Sequence, residues 1–372
     1  MSAPDLRDWL RLCLIPGIGP ERQRALLASF GLPERIFSAG QFSIAQVIGQ
    51  KLARLLLTHD NAAQVDAALA WASEPGNLIL TLADPAYPRA LLETADPPSL
   101  LYAKGNAALL ETPALAMVGA RSATPQGEAN AMAFAESFAA AGLTVVSGLA
   151  LGIDAAAHRG ALKASGGTIA VVGTGADRIY PARNAALARE IAQRGLVLSE
   201  FPLGTPPAAH NFPRRNRLIS GLSRGVLVVE AALDSGSLTT ARLAAEQGRE
   251  VFAIPGSIHS PTARGCHHLI KQGAKLVESA QDVLEELHWA SPAAAGSPAA
   301  LPASAEAGAA DDAQRVVLDA MGFDPVDPDH LARRTGLTAD ALFAILTMLE
   351  LEGCLARLAG GRFQRITVPS SG

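Results

Sequence analysis

The chain has 372 residues, of which 49% are hydrophobic and 18% charged, so it is too long for one ordinary domain and too apolar to be disordered. Its formal net charge of −4 excludes a protein that is basic over its whole surface but still permits a local basic patch. The first residues contain no apolar run of signal-peptide length, and no run approaches the roughly 18 apolar residues of a membrane helix, so we expect neither a signal peptide nor a membrane span. Three scattered cysteines predict neither a disulfide framework nor a zinc site, and we expect a cytoplasmic protein without membrane contact.

The first predicted unit, residues 1–75, is a small helical domain of the SAM or helix-hairpin-helix type. Leucines recur at spacings of three and four between two breaks, residues 16–20 and 31–33, that contain proline and glycine. The segment 14–22 (LIPGIGPER) resembles a helix-hairpin-helix turn, whose glycine amides can contact a phosphate. Such hairpins also occur purely as helix connectors, so DNA contact at this segment stays open.

Residues 76–111 contain short apolar runs interrupted by prolines, which predicts an extended connector packed on the edge of the next domain. Residues 112–288 then alternate helical stretches with apolar runs of strand type. The runs lie at 116–118, 143–146, 169–172, 196–198, 226–229 and 251–254. Near-continuous apolar strands separated by helices are typical of a parallel sheet covered on both faces. We therefore predict a doubly wound, mostly parallel α/β domain.

Residues 292–310 are almost entirely Ala, Pro, Gly and Ser, a composition that predicts a flexible linker over residues 289–312. The last unit, residues 313–368, contains three helical segments followed by two short strands, which is the order of a winged-helix domain. Its third helix, predicted over 339–352, has three acidic residues and no Lys or Arg. Because the phosphates of a DNA groove would repel this helix, we expect the module to contact protein instead of DNA.

Small and polar residues follow most of the predicted strands, at corners where a helix begins. In open α/β sheets, ligands bind beyond the carboxyl ends of the strands, where helix amino termini favour anions. These corners lie at 119–122, 147–154, 173–175 and 234–240. The first corner also carries Arg121, whose guanidinium can bind a phosphate through two hydrogen bonds. Packing explains any single corner, but four corners at one edge indicate an anion-binding crevice.

The segment 210–217 (HNFPRRNR) places three arginines and one aromatic ring at the predicted start of a helix. Cations bind backbone phosphates, and an exposed ring stacks on unpaired bases. A buried ring with arginines paired to surface acids is the alternative. Residues 112–285 contain 16 basic and 13 acidic side chains although the whole chain is negative, so we expect positive charge at the crevice.

Several other motifs indicate no catalytic, cofactor or metal chemistry. The sequence has no GxxxxGK[ST] motif, and residues 173–175 (GTG) lack the third glycine of a dinucleotide fingerprint. Asp154 and His158 share one helical face, and a contact that fixes the helix is favoured over an acid–base pair. The adjacent residues 266–268 (CHH) cannot all face one ion, so we assign no metal, no cofactor and no catalytic residues.

In combination, these motifs resemble the bacterial DNA-processing protein family DprA, also called Smf. The matching segments are VGAR at 118–121, SGLALGID at 147–154 with His158, YPARN at 180–184, FPRRNR at 212–217, and SGSL at 235–238 through VFAIPG at 251–256. The likeness extends over most of the chain. The order of a helical domain, an extended Rossmann-like domain and a winged-helix tail is also similar to that family.

The resemblance implies a homodimeric protein that binds single-stranded DNA, protects incoming DNA during natural transformation and assists loading of the recombinase RecA in recombination. It also implies roles for residues that match the family's motifs. The implied DNA contacts are Arg121, Phe212, Arg214, Arg215 and Arg217, and the implied pocket-shaping residues are Ser147, Gly148, Asn184, Ser235, Gly236 and Ser237. Which arginine touches phosphate and which one supports the fold stays open.

Two other functions are the alternatives. Nucleoside-monophosphate phosphoribohydrolases, enzymes on a related Rossmann scaffold, have a PGGxGTxxE motif that is similar to residues 234–242 (DSGSLTTAR). In that alignment the functional glutamate falls on Arg242, which removes the acid that the hydrolysis needs. A winged-helix transcription regulator is the third hypothesis, and the acidic third helix disfavours it.

Overall fold

The computed structural model describes residues 3–289, 309–358 and 360–366. Within these ranges, a helical unit precedes a nine-stranded sheet flanked by helices, and a small module of helices and a hairpin follows. Most of the predicted linker, residues 290–308, lies outside the described residues.

Residues 3–72 form six helices. They are α1 (Ala3–Cys13), α2 (Pro20–Phe30), α3 (Pro33–Ser38), α4 (Gln41–Ile48), α5 (Gln50–Thr58) and α6 (Ala62–Ala72). Proline begins α2 and α3, at a position where the missing N–H would have no helical partner. Leu12, Leu26 and Ile44 are among the residues of the apolar core. In the turn between α1 and α2, Gly17 has a φ of +79°, and its carbonyl oxygen accepts a hydrogen bond from Arg22 at 3.0 Å.

The strands are β1 (Asn77–Thr81), β2 (Leu100–Gly105), β3 (Ala114–Val118), β4 (Thr144–Ser147), β5 (Thr168–Val171), β6 (Leu196–Ser199), β7 (Gly225–Val228), β8 (Glu250–Ala253) and β9 (Lys275–Leu276). Their order across the sheet is β1-β2-β6-β5-β4-β3-β7-β8-β9. The strands from β6 to β9 are parallel, whereas β1 and β2 add antiparallel at one edge. The predicted connector, residues 76–111, supplies these two edge strands.

Helices cover both faces of the sheet. They are α7 (Arg89–Leu92), α8 (Pro125–Ala140), α9 (Ile153–Ala161), α10 (Ala185–Arg194), α11 (Asn211–Gly221), α12 (Gly236–Glu246), α13 (Arg264–Lys271) and α14 (Ala280–Glu286), with short 3-10 helices at Ala107–Glu111, Ala182–Asn184 and Pro261–Ala263. Along β3, Ala116 and Val118 are buried in one apolar cluster, and Leu115 and Met117 in another. Burial on both faces explains the near-continuous apolar strands. The predicted doubly wound, mostly parallel fold is confirmed.

The carboxyl-terminal module contains α15 (Ala309–Met321), α16 (Pro328–Thr335), α17 (Ala339–Leu351) and the antiparallel pair β10 (Leu355–Arg357) and β11 (Phe363–Arg365). Leu331, Leu346 and Phe363 pack into its own core. Three helices followed by a hairpin confirm the predicted winged-helix order. Among the helices in the described ranges, none has both the length and the apolar composition needed to cross a bilayer.

The segment between β1 and β2 is held by arginines from three parts of the chain. Arg24 in α2, Arg217 in α11 and Arg249 before β8 donate to carbonyl oxygens in residues 90–97, at 3.1, 2.7 and 3.3 Å. These contacts tie the helical unit and α11 to the same part of the Rossmann-like domain. The position of α11 matters because it forms one wall of the site.

Candidate functional site

A crevice of about 710 Å³ opens at the carboxyl ends of β3 and β7. The chain order of the strands reverses there, because β4 to β6 lie on one side of β3 and β7 to β9 on the other. At such a switch point the loops diverge and leave a gap. The predicted site residues that line the crevice are Arg121, Phe212, Arg215, Ser235, Gly236 and Ser237, whereas Ser147, Gly148, Asn184, Arg214 and Arg217 lie outside its lining.

Close packing explains two glycines, Gly119 in the crevice lining and Gly152 in the loop after β4. A Cβ atom on Gly119 would lie 2.6 Å from the Ile153 side chain and 2.9 Å from the carbonyl oxygen of Glu230. Gly152 has a φ of +71°, and its Cβ atom would lie 2.3 Å from the carbonyl oxygen of Ala120. The Ala120 amide donates to the Glu230 carbonyl oxygen at 2.7 Å. These contacts join the loops after β3, β4 and β7 into one surface.

The helices α8 and α12 begin beside the crevice, but their amino termini differ in charge. At α8, the Glu230 carboxylate accepts hydrogen bonds from the Thr124 amide at 2.9 Å and from the Thr124 hydroxyl at 2.6 Å. Burial raises the pKa of Glu230. At α12, the Ser235 hydroxyl accepts from the Ser237 amide at 3.3 Å, and the first turn contains no acidic residue. The start of α12 is therefore the better place for a bound anion.

Arg215 lines the crevice from a buried position, with an exposed fraction of 5%. Its guanidinium donates to the carbonyl oxygens of Gly148, at 2.6 Å, and of Val171. Burial lowers the pKa of Arg215 to about 10, an effect that the charge of Asp154 opposes. A Cβ atom on Gly148 would lie 2.5 Å from the guanidinium, which explains that glycine. Arg215 thus brings a positive charge to the crevice and also joins the ends of β4 and β5.

Arg217 and Arg214 interact with a buried carboxylate instead of lining the crevice. The side chain of Glu200 is 1% exposed and binds both guanidiniums, and Arg217 also binds Asp96 at 3.1 Å. Burial raises the pKa of Glu200, and the two arginines oppose this effect. Arg214 is 43% exposed and lies 5.3 Å from the ring of Phe201. Arg217 is therefore paired with two carboxylates and lies outside the crevice lining.

Arg121 and Phe212 meet at the rim of the crevice. Arg121 is exposed, and its Cζ atom lies 5.5 Å from the centroid of the half-buried Phe212 ring, within the range of a cation–π contact. The ring packs on Gly173, where a Cβ atom would be only 2.9 Å away. Tyr180 places a second ring 5.8 Å from Phe212. Tyr180 belongs to the YPARN motif at 180–184, but the sequence predicts no role for it because no local pattern brings these two rings together.

Ser147 and Asn184 fix the loops around the crevice without lining it. The Ser147 hydroxyl donates to the carbonyl oxygen of Met117 at 2.6 Å, which links β4 to β3. The Asn184 side chain donates to the carbonyl oxygens of Leu149 and Ala150 at 2.9 and 3.1 Å. Both side chains are therefore engaged by backbone carbonyl oxygens of the neighbouring strand or loop.

The predicted contact between Asp154 and His158 is wrong. The Asp154 carboxylate accepts hydrogen bonds from the amides of Gly148 and Ala150 at 3.1 and 3.3 Å. Nδ1 of His158 lies 2.8 Å from the Thr168 hydroxyl on β5. Burial lowers the pKa of His158 to about 3, so the ring is neutral at neutral pH. The helical spacing correctly predicts that Asp154 and His158 share a face of α9, but His158 contacts Thr168 of the sheet instead of Asp154.

Residues 266–268 do not converge on one point. The Cys266 thiol is buried 3.7 Å from the carbonyl oxygens of Val228 and Val229, whereas Nε2 of His267 lies 3.0 Å from the carbonyl oxygen of Gly256. Across the described ranges, no three His, Cys, Asp or Glu side chains are grouped so that they could hold a metal ion.

A mostly parallel sheet covered by helices, with a crevice at the switch point of its strand order, defines a Rossmann-type protein. Residues 78–288 match the family DNA recombination-mediator protein A, and residues 298–361 match the DprA winged helix domain. The chain belongs to the DprA family of DNA-processing proteins, so the family predicted from the motifs is confirmed.

Proteins from three bacteria show how far the similarity extends. Protein Smf of Escherichia coli (strain K12) is 44% identical over 309 residues, which cover 80% of each chain. The X-ray structure of DNA processing protein A from Streptococcus pneumoniae has a TM-score of 0.67 and 39% identity, covering 77% of this chain and 99% of that one. A structure that gives insight into the single-stranded DNA binding mode of DNA processing protein A from Helicobacter pylori has a TM-score of 0.52 and 35% identity, covering 56% and 95%.

Proposed function

We propose that the crevice binds single-stranded DNA without altering it chemically. The observation that carries this proposal is the rim, where the exposed Arg121 lies 5.5 Å from the ring of Phe212. The guanidinium can neutralise a backbone phosphate, and the ring can stack on a base. Bases in a duplex are stacked on one another and hide their faces, so this combination favours a single strand. The binding mode described for the Helicobacter pylori relative supports the same proposal.

The residues of the crevice divide into contacts and supports. We assign phosphate contact to Arg121, base stacking to Phe212 and a second positive charge to Arg215. Gly236 is exposed at the start of α12 and has no side chain to obstruct a phosphate, and the hydroxyls of Ser235 and Ser237 lie beside it. The supports hold the loops or α11 and are Ser147, Gly148, Asn184, Arg214 and Arg217.

Anisotropy titration of labelled oligothymidylate across a salt series tests this function. For the wild-type chain, the logarithm of the binding constant should fall linearly with the logarithm of the salt concentration. Arg121→Ala should weaken binding and reduce the slope by about 0.7, the value for one phosphate contact on a single strand. Arg159→Ala is the matched control, because this exposed arginine lies in the last turn of α9, which runs away from the crevice.

Two outcomes of the titration would contradict the proposal. One is equal affinity for single-stranded and duplex DNA of the same length. The other is wild-type affinity for Arg121→Ala. A thermal unfolding scan of each variant is the control, and each should unfold at the same temperature as the wild type.

We propose that the crevice is not an enzyme site. Arg242, which occupies the position of the glutamate in the hydrolase alignment, has a side chain that is 64% exposed and pairs with Glu246 outside the crevice lining. This position offers no acid to a nucleotide in the crevice. Release of free base from nucleoside monophosphates by the purified chain would contradict the proposal.

We further propose that the chain acts as a cytoplasmic homodimer that protects incoming DNA during natural transformation and assists RecA loading. Family membership supports the DNA-processing role, and free cysteines fit a reducing compartment. The edge strand β9, with Leu276 43% exposed, is a surface on which a second copy can pack. Sedimentation equilibrium tests the dimer, and RecA filament formation on single strands with and without the chain tests the loading role.

A further inference from the structure

The loop after β5 exposes an aromatic ring that the roles assigned above do not use. We propose that Tyr180 is a second base-stacking residue and that the single strand leaves the crevice across residues 177–183, named here the rim loop. This inference rests on the proposed binding of single-stranded DNA and adds a contact and a path to it.

The two rings form one continuous stacking surface. Tyr180 is 44% exposed, and its ring centroid lies 5.8 Å from that of Phe212 with an angle of 31° between the planes. A base inserted between the rings would need roughly 7 Å, twice the ~3.4 Å rise per nucleotide of a strand. A base therefore stacks on the outside of the Phe212 and Tyr180 pair and not between the two rings. Phe212 lines the crevice and Tyr180 does not, so the surface extends outward from the crevice.

The rim loop is held in place before any ligand binds. The Thr174 hydroxyl donates to the carbonyl oxygen of Arg178 at 3.1 Å. Both carboxylate oxygens of Asp177 accept from the amide of Gly204, at 2.9 and 3.0 Å. At the end of the loop, the side chain of Asn184 is bound to the backbone after β4. A fixed ring loses little conformational freedom when a base stacks on it, which favours affinity.

Charge favours the same path. The rim loop exposes Arg178 and Arg183, and neither forms an ion pair with any residue that the structure describes. The one acid of the loop, Asp177, is engaged by a backbone amide. On the opposite rim, Asp234 is exposed beside the start of α12. Beyond a phosphate held at the start of α12, a strand that carries one negative charge per nucleotide is therefore favoured to leave over the rim loop instead of past Asp234.

Substitution of Tyr180 tests the stacking role. Tyr180→Ala should weaken binding of oligothymidylate by at least about fivefold, the lower end of the loss expected for one base–aromatic stack, and should leave the salt slope unchanged. Tyr180→Phe keeps the ring and should bind as the wild type does. Phe42→Ala removes a ring that is 78% exposed on α4 and should have no effect.

A strand of the same length made of abasic deoxyribose phosphate separates stacking from charge. On this probe Tyr180→Ala should bind as the wild type does, whereas Arg121→Ala should still weaken binding. The stacking role is overturned if Tyr180→Ala loses the same amount of affinity on both probes. It is also overturned if Tyr180→Ala keeps wild-type affinity for oligothymidylate while Arg121→Ala binds it weakly. In both cases the proposed function stands. Absence of oligothymidylate binding by the wild-type chain overturns both.

The path across the rim loop is tested by Arg183→Ala in the same salt series. The variant should show a smaller salt slope on a strand long enough to extend beyond the crevice. A wild-type salt slope for Arg183→Ala overturns the proposed path. The stacking role of Tyr180 is then still decided by the comparison with the abasic strand.

Discussion

The crevice and the exposed face of α17 are two candidate surfaces for a nucleic acid, and they differ in charge and polarity. The crevice combines Arg121 and Arg215 with a helix start that carries no acid in its first turn. The third helix of a winged-helix module occupies the position that reads a DNA groove in other proteins. Here it exposes Phe343, Met348 and Leu351 and has no Lys or Arg. The fold of a module therefore does not by itself determine whether the module binds DNA; the charges on its surface matter more.

The two surfaces also differ in how they are built. The crevice is assembled from loops after several strands and from α11, and buried arginines join these parts. The face of α17 is one side of a single helix. Substitutions below the crevice should therefore affect both stability and DNA binding, whereas substitutions on the face of α17 should affect neither.

Arg217→Ala should have the largest effect. It leaves Glu200, with 1% of its side chain exposed, without its closest cationic partner, and removal of one member of a buried pair costs about 3–5 kcal/mol. Urea unfolding should show this loss, and DNA affinity should fall because α11 is no longer held. Arg242→Ala is the control, since its exposed pair with Glu246 contributes about 1 kcal/mol or less. If the two variants are equally stable, the buried arginine contacts do not stabilise the crevice, and the contrast with the face of α17 fails.

Acid should destabilise the domain that holds the crevice. The buried His158 has a pKa of about 3 in the folded chain and an ordinary pKa near 6.5 when unfolded. Between these values the unfolded chain binds a proton that the folded chain excludes. The contribution of His158 is therefore complete above pH 6.5 and falls with decreasing pH, by at most about 1.4 kcal/mol per pH unit. The histidine of the winged-helix module, His330, is exposed.

The measurement is the unfolding free energy between pH 6.5 and 4.5 for the wild type and for His158→Gln. The variant should show a shallower decrease because it lacks the group that titrates only when unfolded. Buried carboxyls with raised pKa values, such as Glu200 and Glu230, act in the opposite direction, but they are common to both proteins. Parallel curves for the two proteins would exclude His158 as the source of acid sensitivity.

The smallest effect is expected on the face of α17. Leu351→Glu places a negative charge on a side chain that is 84% exposed. If DNA does not approach this helix, the affinity for oligothymidylate and the salt slope should both match the wild type. A clear loss of affinity in the same titration would show that the module takes part in DNA binding, and the contrast between the two surfaces would then fail.

Much of the fold and part of the site could be predicted because they depend on local patterns. The apolar runs mark strands buried on both faces, and the glycines at 119 and 148 mark places where backbone or a guanidinium approaches closely. The crevice itself follows from strand ends that meet at one edge of the sheet. The two antiparallel edge strands were harder to predict, because their short length and the prolines between them resemble a connector.

The sequence by itself determined the doubly wound domain, the winged-helix order and the family, because each depends on residue types at fixed spacing along the chain. Only the tertiary structure decided which of the motif arginines is exposed at the crevice. Arg121 is exposed at the rim, whereas Arg217 binds Glu200 and Arg215 binds the carbonyl oxygen of Gly148, 67 residues away in the chain. The tertiary structure likewise gave His158 a partner on β5 and placed Tyr180 beside Phe212. Burial and partner choice depend on residues distant in sequence, so identical side chains acquire different roles.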